Sequence, residues 1–248
     1  MRTDSFLITC EHGGNHIPAP YRALFLGHDA LLASHRGYDP GALVMARALA
    51  RAFGAPLVCS TVSRLLIDLN RSIGHPQLFS PMTRAAPAGM RATMLTQYYR
   101  PHREAVERLA AQSIAHGRRV IHIASHSFTP KLDGRVREVD VGLLYDPQRR
   151  GEATLCARWK AAIESMAPGL RVRRNYPYLG RNDGLTSALR RRFPPSAYVG
   201  VELEFNHGIL LAGGRGWTAL RSVLIDSLRS ACERSCIQEN QDANPRRL

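Results

Sequence analysis

Apolar residues fall into two alternating kinds of run along this chain. Short unbroken stretches, SFLITC at 5–10, PLVCSTV at 56–62, RLLIDL at 64–69, VIHIASH at 120–126, VDVGLLY at 139–145 and YVGVELEF at 198–205, have the length and composition of buried strands. A shorter basic strand is expected near 170–174. Between these runs, apolar positions recur every three to four residues. Ala42, Leu43, Met45, Ala46, Leu49, Ala50 and Phe53 form one such stripe, ended by Gly54, with Asp39 as N-cap and Pro40 as the first helical residue. Further helices are expected over 95–115, with Pro101 as a kink or a start, over 151–166, over 185–192 and from Trp217 to about Ile237. Strands alternating with helices predict an α/β fold with a mixed, largely parallel sheet covered on both faces. No composition break divides the 248 residues, so a single domain over 1–248 is expected.

Three of the strands end in reactive residues. The carboxyl ends of strands in an open α/β sheet line a common crevice. SFLITC leads into EHGGNHIP, VIHIA into SHSFTP, and YVGVELEF into NHG, which directs His12, His126 and the Glu202/Glu204 pair toward one place. Two imidazoles and carboxylates around one point fit a hydrolytic metal site. A third ligand is needed, and Asp39 leads Glu11, Asn15 and His16 as the candidate. Glu202 and Glu204 lie two apart on a strand and so share a face. Burying that pair among Val201, Leu203 and Phe205 is costly without a cation or a catalytic water, and either glutamate can serve as a general base. Arg64, Asn70 and Arg71 flank the run containing Asp68, and a guanidinium fork there matches a substrate carboxylate. Asn15, Asn175, Tyr178, Asp183 and Thr186 are further candidates for the walls of such a site, and His122 reads as core or as support for a ligand.

Charge narrows the function less than its size suggests. The formal net charge is +14, yet Lys131 and Lys160 are the only lysines and the arginines are scattered. With no nucleic-acid motif beside them, they favour a solvated surface that attracts acidic small molecules over a nucleic-acid face. No G-x-G-x-x-G or G-x-x-x-x-G-K-[ST] occurs, which removes the main support for a nucleotide site. No stretch approaches the roughly 20 apolar residues of a membrane span. Five cysteines, an odd number, favour reduced thiols. A cytoplasmic protein is expected, and no pattern specifies an oligomeric state.

In order, CEHGGNHIP, GYDPGA, SRLLIDLNR, HIASHSFTP, VDVGLLYD, NYPYLGRNDGLT and VELEFNHG resemble the N-formylglutamate amidohydrolase family from about residue 5 to about residue 212. The resemblance implies a three-layer α/β/α sandwich of the phosphorylase/hydrolase-like kind, similar to the zinc carboxypeptidases. It implies cleavage of N-formyl-L-glutamate to formate and L-glutamate in histidine catabolism, with one Zn²⁺ per chain on His12, His126 and Asp39. By the same resemblance, Asn70 and Arg71 hold the substrate carboxylate, and Glu204 is preferred to Glu202 as the base. HGGN stands where better-characterised members have a PHSG-like start, which extends the expected substrates to other N-acyl amino acids. A metallo-carboxypeptidase or N-acyl amino acid deacylase of the same fold is the alternative enzyme. A non-catalytic binding protein for acidic ligands or nucleic acid is the alternative of another class.

Overall fold

The computed structural model describes residues 3–242. In chain order its main elements are β1 (Asp4–Cys10), α1 (Ala42–Phe53), β2 (Leu57–Cys59), α2 (Arg100–Ala115), β3 (Arg119–Phe128), β4 (Lys131–Leu132), β5 (Arg135–Val136), β6 (Val141–Leu144), α3 (Arg150–Met166), β7 (Val172–Arg174), α4 (Leu185–Arg192), β8 (Tyr198–Asn206) and α5 (Gly214–Asp242). Six strands form one sheet in the order β2-β1-β3-β8-β6-β7. β1, β2, β3 and β8 run parallel, whereas β6 is antiparallel to β8. The sheet is therefore mixed and mostly parallel, as the alternation of strands and helices predicts.

Period-two alternation sends neighbouring strand residues to opposite helical layers. Leu7 packs with Val106 and Ala110 of α2 and Leu185 and Leu189 of α4. Ile8, the next residue, packs in the other layer with Met45 and Leu49 of α1, Trp159 of α3 and Leu224 and Leu228 of α5. Helices thus cover both faces, giving the three-layer α/β/α sandwich. A separate cluster of Tyr21, Phe25, Leu66, Ile67, Leu69, Met94 and Tyr99 fixes a long segment beside the sheet.

Three expectations need correction. Residues 64–69 are not a strand but a buried, turn-rich segment, closed by Leu66 N–H to Ser63 O at 2.9 Å and Asp68 N–H to Leu78 O at 2.9 Å. An unbroken apolar run reports burial and not backbone shape, which is why this one reads as a strand. Asp39 is not the N-cap of α1, because Gly41 holds that position with φ +80°, and the Asp39 carboxylate is free to point elsewhere. The helix expected at 95–115 begins at Ala88 and contains a π-helical turn, Leu95–Tyr99, with Arg100 N–H reaching Leu95 O. That widened turn immediately precedes Pro101, whose ring cannot sit in an undisturbed α-helical interior.

Inside the sandwich, Arg190 of α4 donates through Nε to Glu152 of α3 at 2.9 Å and through Nη2 to Gly200 O of β8 at 2.9 Å. Glu152 also accepts from the backbone N–H groups of Gly200 and Asp146. Among the described residues, no helix is long and apolar enough to cross a membrane. Cys10, Cys59 and Cys156 are free thiols, and the Cys236 side chain lies outside the described residues. Removing one member of a buried pair strands the other's charge. Arg190→Met should therefore cost about 3–5 kcal/mol in urea unfolding, and adding Glu152→Gln should restore part of it. Equal stability of Arg190→Met and the wild type would show that the pair is not a structural element.

Candidate metal centre and substrate cavity

β1 delivers Glu11 and His12 to the carboxyl end of the sheet. The two glycines that follow serve backbone packing. A Cβ on Gly13 would lie 2.8 Å from Ser60 O, and one on Gly14 would lie 2.6 Å from Thr61 O. This close approach, together with Asp39 N–H to His12 O at 2.9 Å, brings the loops after β1 and β2 and the start of α1 together. β3 contributes His126, whose register partner on β8 is Glu204.

Asp39 Oδ2 lies 3.3 Å from Nδ1 of His12 and 2.8 Å from Nδ1 of His126. The three residues are buried, and their ligand atoms lie within 4.8 Å of one another, so they could hold a metal ion. Each imidazole meets a second carboxylate with its other nitrogen. His12 Nε2 is 2.7 Å from Asp68 Oδ1. His126 Nε2 is 3.0 Å from Glu11 Oε2, within ion-pair reach though off the hydrogen-bond axis. Carboxylates at Nε2 favour the tautomer that leaves the Nδ1 lone pairs directed at one point, the arrangement that orients metal-binding histidines.

Electrostatics reinforce the convergence. Burial pushes the Asp39 carboxyl up, but the His12 and His126 rings beside it hold it well below the usual carboxylate range. Burial likewise opposes charge on Asp68, which Arg64 and His12 overcome, and on Glu11, which His102 and His126 overcome. Burial works against a charged His126, yet Asp39 and Glu11 raise it well above its ordinary value. Glu204 behaves differently. Burial pushes it up to about 8, and its Oε2 has no hydrogen-bond partner among the described residues. Glu202 is less buried and accepts a hydrogen bond from the Thr186 hydroxyl at 2.7 Å.

His12, Asp39, His126, Glu202, Glu204, Arg64, Asn70, Arg71, Tyr178 and Asp183 all line one cavity of about 180 Å³. Arg64 is engaged there by Asp68 at 2.7 Å and Asp39 at 3.5 Å. Arg71 donates to a backbone oxygen, Asp183 O at 2.8 Å, and its buried Nε has no hydrogen-bond partner among the described residues. The Asp183 carboxylate accepts from Ser72 N–H at 2.8 Å, and Asn70 Oδ1 accepts from Leu185 N–H at 2.7 Å. These contacts tie the 70–72 segment to the start of α4. Asn15 does not join the cavity. It is exposed, donates to Leu32 O at 3.2 Å and borders a separate surface hollow, as does His16.

Asp68 pairs with the neighbouring Arg64, and its contact with His12 is one that no local pattern signals. His102 reads from the sequence as a surface histidine like the rest, but the structure buries it, and its position one turn before Val106 and two before Ala110 places a histidine on an apolar helix face. His122 sits between Thr9 Oγ1 at 2.9 Å and Tyr198 Oη at 2.7 Å, and burial lowers it to about 4, which marks it as core. Burial raises the Cys10 thiol, the opposite of nucleophile activation.

The fold is an α/β/α sandwich with a candidate metal site at the carboxyl end of its sheet. Residues 4–211 match the model of the N-formylglutamate amidohydrolase family, and the chain belongs to that family. A gene product of Agrobacterium tumefaciens is 32% identical with a TM-score of 0.80, covering 93% of this chain and 91% of that one. N-formylglutamate amidohydrolase from Ralstonia eutropha JMP134 shares the fold at 20% identity with a TM-score of 0.64, covering 93% of this chain and 94% of that one. No curated protein matches the chain.

Two outcomes are expected from this geometry. The folded pKa of Glu204, near 8, exceeds its unfolded value of 4.5, so it contributes stability that is complete below about pH 4.5 and lost as pH rises toward 8. In metal-stripped protein, the stability of the wild type relative to Glu204→Gln should fall by roughly 2–5 kcal/mol across that window. A difference independent of pH would contradict the burial of a free carboxyl. Asp68→Asn should weaken the affinity of the triad for a divalent ion by about 10- to 100-fold in competition with a chelator, because His12 loses its orienting carboxylate. Unchanged affinity would remove that role.

Proposed function

We propose that the chain is a zinc-dependent amidohydrolase that cleaves the amide of an N-formyl or N-acyl acidic amino acid, such as N-formyl-L-glutamate. It works as a single domain over 1–248 and as a cytoplasmic enzyme of histidine catabolism. The observation that carries this reading is the placing of His12, His126 and Asp39 in the same small cavity as the unpartnered Glu204. Two imidazoles and a carboxylate are a donor set suited to catalytic zinc, which leaves a position open. A cavity of about 180 Å³ suits a small acylated amino acid better than a peptide.

His12, His126 and Asp39 would hold the ion. Bound zinc supplies a Lewis acid for the scissile carbonyl and brings the pKa of water close to neutrality. Glu204 acts as the base. Its free Oε2 takes a proton from the attacking water as the water oxygen bonds to the acyl carbon, and returns it to the nitrogen as the C–N bond breaks and its electron pair leaves on nitrogen. For N-formyl-L-glutamate the products are formate and L-glutamate. With the ion held there, Glu204 would fall from its raised value and stay in the base form near neutral pH. Glu202, held by Thr186, shapes the wall.

Arg71 anchors the substrate carboxylate together with Asn70. Its guanidinium has a backbone partner and no side-chain carboxylate within ion-pair distance among the described residues, whereas Arg64 already serves Asp39 and Asp68. Arg64 therefore acts mainly by holding those two acids in place.

Formate release from N-formyl-L-glutamate by zinc-loaded protein tests the assignment. Arg71→Ala should raise KM by about 10- to 100-fold while zinc content is retained, as expected for loss of a charge-assisted anchor. Turnover confined to N-acetyl analogues would move the substrate assignment. Absence of turnover on all N-acyl amino acids would refute the hydrolase reading.

A further inference from the structure

A second guanidinium packs against two of the rings that line the cavity. β6 pairs antiparallel to β8 with Val141 opposite Phe205, so the β4–β5 hairpin that precedes β6 projects from the end of the sheet where the cavity lies. Arg137 directly follows β5. Its guanidinium carbon is 5.8 Å from the Phe128 ring centre and 5.3 Å from that of Tyr178, and Nη1 is 3.4 Å from the Tyr178 hydroxyl. Phe128 and Tyr178 both line the cavity, one at the end of β3 and the other in the 175–184 loop. Two aromatic rings from different segments hold the guanidinium in place.

The acids nearby are committed elsewhere. Asp140 and Glu138 pair with Arg171 at 3.3 Å and 4.0 Å, and Asp39 and Asp68 pair with Arg64. Among the described residues, Arg137 has no carboxylate within ion-pair distance. Arg71 in the cavity wall and Arg137 against its aromatic lining thus come from separate parts of the chain, each with no carboxylate at ion-pair distance among the described residues.

We propose that Arg137 is a specificity-determining residue that receives the distal carboxylate of the substrate while Arg71 receives the other. This second subsite selects N-acyl derivatives of dicarboxylic amino acids over their side-chain amides, and it rests on the amidohydrolase reading above. A guanidinium held between two rings loses little rotamer freedom when a carboxylate arrives, so its contribution is realised in binding.

The test compares kcat/KM for N-formyl-L-glutamate and N-formyl-L-glutamine in the zinc-loaded wild type, Arg137→Gln and Arg171→Gln. Calorimetric binding of glutarate and butyrate to the same proteins gives a readout independent of turnover. Wild type should prefer the glutamate substrate by about 10- to 100-fold, the worth of a charge-assisted contact. Arg137→Gln should bring that ratio to within a few-fold through KM and should remove the preference for glutarate, whereas Arg171→Gln should keep both preferences. A wild type indifferent to the distal carboxylate, a preference that survives Arg137→Gln, or an equal loss on both substrates overturns the subsite. No turnover with an Arg137-dependent glutarate preference would refute the hydrolase reading and leave the subsite standing. Turnover with preferences untouched by Arg137→Gln would do the reverse.

Discussion

Burying Glu11, Asp39, Asp68 and Glu204 around two imidazoles is the constraint on which the rest of this structure turns. Each carboxylate removed from water costs several kcal/mol unless it is paired or protonated. Arg64 compensates two of them, and His126 is driven toward its charged form by two. Glu204 keeps its proton instead. A divalent ion among His12, His126 and Asp39 would supply the missing positive charge directly. It would release His126 to act as a neutral ligand and Glu204 to act as a base, so the burial cost and the proposed catalytic arrangement have the same solution.

The sheet makes that cluster possible. β3 is buried along nearly its whole length, and its register with β8 places His126 opposite Glu204. Slipping that register by one residue would turn one of the two side chains into the opposite layer. Alternation between two apolar helical layers fixes the register, so the hydrophobic core sets the spacing of the reactive groups. The buried Arg190–Glu152 pair extends the same control to the 175–184 loop through the carbonyl of Gly180, which Arg190 also contacts.

Much of this arrangement is legible in the sequence because parallel strands have carboxyl ends that face one crevice. His12, His126, Glu202 and Glu204 follow from that rule alone, Asp39 from the need for a third ligand and Asn70 and Arg71 from the fork of a guanidinium at the end of an apolar run, and the family resemblance points to the same residues. Residues 64–69 mislead because an apolar run says nothing of backbone shape when every residue is buried. Asp39 misleads in another way. Asp-Pro-Gly has the signature of a helix start, but Gly41 takes the cap and leaves the carboxylate for the histidines. Asn15 lies close to His12 in sequence and diverges in space because the loop after β1 turns along residues 60–62. The Asp68–His12 and Glu11–His126 contacts depend on tertiary approach, which local patterns do not encode.

Zinc content of the folded protein after extensive dialysis tests the account most directly. The account predicts about one ion per chain in the wild type and none in His126→Ala or Asp39→Asn, with unchanged far-ultraviolet circular dichroism. A folded wild type that takes up no divalent ion near neutral pH, or a His126→Ala protein that retains its full complement, would contradict it.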